Sequence, residues 1–143
     1  MGIQFNSICR FFIVSFLFLI NFFCPKYLFA QNEISSKEIS THDFEMMDNT
    51  TKRAYFIQWN QFSSQNEIPV ELEQKALAFY KEKNLDERIY HKYKALFRIL
   101  TNTHLPLSNR INAGHFIMAT YDENIFPTGI VKDLLLELAQ QLK

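Results

Sequence analysis

NLDERIYHKYKALFRIL, residues 84–100, is the stretch whose reading decides the fold. Leu85, Ile89, Tyr93, Leu96 and Leu100 recur at intervals of four, four, three and four, with Phe97 alongside. That spacing puts them on one face of an α-helix. Asn84 and Glu87 stand at the spacing of a capping box, so Asn84 is expected both to end the preceding helix and to start this one. Upstream, Pro69 suits the first position of another helix, with Glu71 and Glu73 in a first turn whose dipole favours negative charge. Leu72, Ala76, Phe79 and Tyr80 form its apolar stripe, and it should run to about Lys83. So short a connection joins the two helices as an αα-hairpin. Arg88, His91, Lys92, Lys94 and Arg98 lie on the outer face. They read as a solvated face rather than an anion or lipid-headgroup site.

Toward the C-terminus, Thr101 to Leu107 holds a turn around Pro106, and Ser108 is positioned to cap a helix reaching about Thr120. Gly114 interrupts that helix at a cost of about 1 kcal/mol relative to alanine. Beside Ala113, it would let another helix approach closely. Asp122 to Gly129 is a loop, and Thr128 is expected to cap the last helix. There the row Val131, Leu135, Leu138 and Leu142 is assigned to the core, while Leu136 falls off the row and is left for solvent or a partner.

Toward the N-terminus, Tyr55, Trp59 and Phe62 keep helical spacing within Phe44–Phe62, with Thr50 or Thr51 as cap. Trp59 reads as a core anchor. Tyr55, Ile57 and Trp59 also alternate, as strand residues do. An α+β alternative therefore exists, with short strands near 54–59 and 115–121. The preferred class is mainly α: a small irregular bundle of four to five short helices in a single domain over residues 44–143. Residues 31–43 (QNEISSKEISTHD) are polar and aperiodic and read as a flexible linker. The alternative there is a first helical turn beginning near Ser40 or Thr41.

Residues 1–30 carry the parts of a signal peptide: Arg10, thirteen uncharged positions from Phe11 to Phe23, and Ala30 before Gln31. A spanning anchor needs about 20 apolar residues, and this run is broken by Cys24-Pro25-Lys26. Bacterial lipoprotein signals place a small residue before the modified cysteine, where this chain has Phe23. Cleaved export follows, with no stable membrane anchor afterwards.

Removal of residues 1–30 from the 143 leaves 113, the size of one domain. Arg10 and Lys26 leave with the signal, so 13 basic residues face 15 acidic ones, a net charge of −2. That balance argues against a nucleic-acid partner. Both cysteines, Cys9 and Cys24, leave too, so the exported chain relies on packing rather than disulfides.

The sequence contains no G-x-S-x-G, no P-loop, no dinucleotide fingerprint and no H-E-x-x-H. His42 and Glu45 share a helical face at i and i+3. His104, His115, Asp122 and Glu123 gather loosely in the C-terminal half. Neither set has the spacing of a metal or acid–base site, and surface or core histidines are the ordinary reading. No catalytic, cofactor or metal residue is assigned. The function expected is an exported, non-catalytic interaction protein of the bacterial envelope or periplasm: an inhibitor, immunity-type protein, chaperone-like factor or assembly component. Its partner would be another protein, met through the C-terminal helix around Leu136. The alternative is a small exported enzyme using the histidine and carboxylate groups above.

Overall fold

The structure, a computed structural model, describes residues 37–142, the side chain of Glu87 excepted. The signal-peptide reading of residues 1–30 and the first part of the expected linker lie outside them. Within this range the chain forms six helices and no strand: α1 (Thr41–Met46), α2 (Asn49–Phe62), α3 (Val70–Glu82), α4 (Glu87–Thr101), α5 (Leu107–Thr120) and α6 (Thr128–Gln140). The mainly α class is as expected. The strand alternatives at 54–59 and 115–121 fall inside α2 and at the end of α5. Helix α1 adds a sixth element to the four or five expected. Among the described residues no helix is long and apolar enough to cross a membrane.

At the end of the expected linker the chain takes the alternative reading, a helical turn beginning at Thr41. Ser40 caps α1, its hydroxyl accepting from the Asp43 amide at 3.1 Å, and Ile39 and Phe44 are buried. Asp48, not Thr50 or Thr51, caps α2: its Oδ1 accepts from the Thr50 and Thr51 amides at 2.8 and 2.9 Å. A carboxylate one residue outside the helix can reach two free N–H groups at once, and its charge suits the helix dipole.

The α3–α4 hairpin forms as read, and Asn84 ends the first helix as expected but does not start the second. Asn84 takes a left-handed conformation (φ 50°) and closes α3. Its amide donates to Lys81 O at 3.2 Å, and the Leu85 amide donates to Tyr80 O at 3.1 Å. These are the two bonds of a Schellman motif, in which asparagine stands where glycine is usual. Asp86, accepting from the Arg88 amide at 2.8 Å, caps α4 instead. Asn84 cannot serve both helices, because its φ is committed to ending the first.

Pro69, Pro106 and Pro127 occupy the N-cap positions of α3, α5 and α6. Ser108 and Thr128 therefore do not cap α5 and α6; they lie inside those helices. The fixed φ of proline sets the chain's entry angle without a side-chain acceptor.

The centre of the bundle is α5, which packs against α1, α4 and α6. Six consecutive residues, Asn109 to Gly114, are buried. Gly114 faces Leu135: a Cβ built there would lie 2.7 Å from Leu135 Cδ2, so glycine permits the close approach of α5 and α6. Aromatic rings join the other elements. Trp59 on α2, fully buried, meets Phe44 of α1 at 5.5 Å and Tyr55 at 5.8 Å between ring centres. Tyr93 of α4 meets Phe126, before α6, edge-on at 4.5 Å. Val131, Leu135 and Leu138 are buried as expected, whereas Leu142 is 63% exposed. The helix stops at Gln140, so the spacing that put Leu142 on the core row no longer applies there.

Candidate functional site

The histidine and carboxylate groups are dispersed. His42 and Glu45 are both exposed on α1. His104 is exposed in the α4–α5 connection, its amide donating to Asn102 Oδ1 at 3.0 Å. His115 and Glu123 do line one shallow cleft of about 350 Å³, with Lys132 and Met118. Glu123 there pairs with Lys132 at 3.3 Å. Asp122 caps its own loop by accepting from the Asn124 amide at 2.7 Å. Among the described residues no three His, Cys, Asp or Glu side chains are grouped to hold a metal ion.

The outer face of α4 is partly tied down. Glu73 of α3 accepts from Tyr90 Oη at 2.7 Å and pairs with Lys94 at 2.7 Å. The Lys94 and Tyr90 contacts hold the Glu73 carboxyl below its usual range. Burial, then the bond to Glu73, pushes the Tyr90 hydroxyl up. This trio ties α3 to α4 across the hairpin.

The feature that sequence reasoning missed is Arg110. It is only 8% exposed, on the central helix. The reason begins at the end of α4, whose last carbonyls lack helical partners. Asn66 Nδ2 donates to Arg98 O at 3.1 Å, the Asn102 amide to Ile99 O at 3.2 Å, and Arg110 Nε to Leu100 O at 2.7 Å. A cation at this negative helix end is favourable. The rest of the guanidinium faces a cleft of about 360 Å³ between α3 and α6. Leu72, Leu100, Leu134 and Leu138 contribute to its walls, and Lys75 lies at its edge. Among the described residues no carboxylate comes within 4.0 Å of the Arg110 nitrogens. Burial lowers the Arg110 pKa from its usual value.

An arginine between two asparagines on a helix of weak apolar pattern gives no spacing signal. One sign was available: Ser108, Asn109, Arg110 and Asn112 are too polar for a helix surrounded by apolar neighbours unless each has a specific partner. The chain matches no protein-family model, no curated protein and no solved structure.

Proposed function

We propose that the protein is an exported, non-catalytic interaction protein that meets a protein partner through α6. One observation carries this reading. Leu136 is 64% exposed, while Leu135 and Leu138 on the same helix are 7% and 5% exposed. An aliphatic side chain held out on a well-anchored helix is a ready contact for a partner, because its burial on binding is favourable and the helix is already ordered. Export rests on the Arg10, Phe11–Phe23 and Ala30 pattern.

Hydrogen exchange of the purified protein, with and without envelope extract from its source cells, tests the reading. Slowed exchange over 128–142, lost in Leu136→Lys at unchanged melting temperature, is the expected result. Protection that persists unchanged in Leu136→Lys, or no protection at all, overturns it.

A further inference from the structure

We propose that the cleft between α3 and α6 takes the C-terminal end of a polypeptide, its terminal carboxylate on Arg110 and an apolar last side chain against the leucine walls. This deepens the interaction reading above and rests on it.

Arg110 carries a charge with no carboxylate beside it among the described residues. Moving a guanidinium out of water is costly unless it is paired and hydrogen-bonded. Arg110 makes one side-chain hydrogen bond among the described residues, through Nε to Leu100 O. That bond accounts for its role at the end of α4 and leaves the two terminal nitrogens open to solvent, with no acceptor among the described residues. Those nitrogens form the planar fork that a carboxylate accepts from in bidentate fashion.

The surroundings select among carboxylates. Leu72, Leu100, Leu134 and Leu138 offer an aliphatic wall close to the cation, which suits a carboxylate joined to an apolar group. Gln141 also lines the cleft and can exchange hydrogen bonds with a peptide backbone, which a plain hydrocarbon chain could not use. Glu71 and Glu137 balance Lys75 and Arg110, so the cleft is neutral overall and disfavours a polyanion such as phosphate. Its volume of about 360 Å³ lies at the small end of ligand sites, the size for a chain end rather than a long segment.

The test is a titration of the purified protein with acetyl-Ala-Ala-X tripeptides, X being Val, Leu, Ile, Met or Phe. Each is used as the free acid and as the carboxamide, and the leucine methyl resonances are followed. At least one acid should bind roughly tenfold or more tightly than its amide, the usual scale for a charge-assisted bond, with shifts at Leu134 and Leu138. Arg110→Gln should erase the acid preference. Because that change also removes a bond at the end of α4, Lys75→Glu serves as the second variant. Lys75 is exposed, and reversing its charge should weaken the acids severalfold without changing the melting temperature.

No acid preference for any X overturns the proposal. So does octanoate binding as tightly as the best peptide, which would assign the cleft to free amphiphiles, or inorganic phosphate displacing the peptide. A negative titration beside intact Leu136-dependent protection would sink the chain-end assignment and leave the α6 interface standing.

Discussion

Asn109 stands in for a β-strand neighbour of Ile39. Its Oδ1 accepts from the Ile39 amide at 2.9 Å across 70 positions of sequence, while its Nδ2 donates to Lys37 O at 2.8 Å. Asn112 Nδ2 completes the pairing by donating to Ile39 O at 3.0 Å. Two side chains one helical turn apart thus satisfy both backbone groups of a buried residue in an extended segment, and anchor the entry to α1.

Asn109→Ala leaves the buried Ile39 N–H without an acceptor. The expected loss is about 1–3 kcal/mol, the cost of an orphaned buried polar group. Urea denaturation measures it. A loss within error of zero would mean that water takes over the contact.

Gly114→Ala pits helix propensity against packing. Alanine gains about 1 kcal/mol in a helix interior. The new methyl would overlap Leu135 Cδ2 at 2.7 Å and crowd Cγ at 3.2 Å, and overpacking costs about 1–3 kcal/mol. The variant should be less stable than wild type. In a Leu135→Ala background the same change should be neutral or stabilising, and a double-mutant cycle reads the difference. Equal effects in both backgrounds would rule out the proposed overlap.

Leu138→Ala should cost about 2–5 kcal/mol, the range for truncating a buried leucine. Leu136→Ala should cost under about 1 kcal/mol, as exposed changes do. Paired urea melts decide it; comparable losses would show that α6 is buried all round.

The stability profile should fall at both ends of the pH range. The Tyr93 hydroxyl is buried with no hydrogen-bond partner among the described residues, and burial pushes it up to about 12. The folded state therefore holds this proton more tightly than the unfolded one. Its contribution is complete below pH 10, the ordinary tyrosine value, and is lost as pH rises toward 12. Tyr93→Phe should flatten that alkaline slope and leave neutral-pH stability equal or higher, since it removes an unpaired polar atom. Glu73 has the opposite sign: its lowered pKa adds stability above the usual 4.5 that disappears as the pH drops through the folded value. Glu73→Gln should remove that part of the acid slope. Melting temperatures at closely spaced pH values would expose either error.

Much of the helical frame was legible because it is written in apolar spacing. Tyr93, Leu96, Phe97 and Leu100 are buried where the 84–100 pattern puts them. The small-residue reading of Gly114 held for the same reason: lack of bulk is visible in sequence. What stayed hidden was the use of polar side chains over long range. Asn109, Arg110 and Asn112 look like a solvent face, yet each serves backbone atoms of another segment. Their partners, Ile39 and Leu100, are identified only once the fold brings them together. The caps were misplaced on a finer scale. Asn84 and Asp86 both suit a helix start, and only the left-handed turn at Asn84 assigns one to each helix.

The Asn109 contact also has a consequence for the order of events as the chain folds. Closing a 70-residue loop costs entropy that the short α3–α4 and α5–α6 connections avoid, so the local pairs have the head start. Residues 37–46 leave the ribosome before the helix that receives them exists. Until α5 is in place, Ile39 and Phe44 have no site to fill. Docking of this strap is then a late step, and weakening it speeds unfolding more than it slows folding. Residues 37–46, made before the helix that holds them, are the last to find their place.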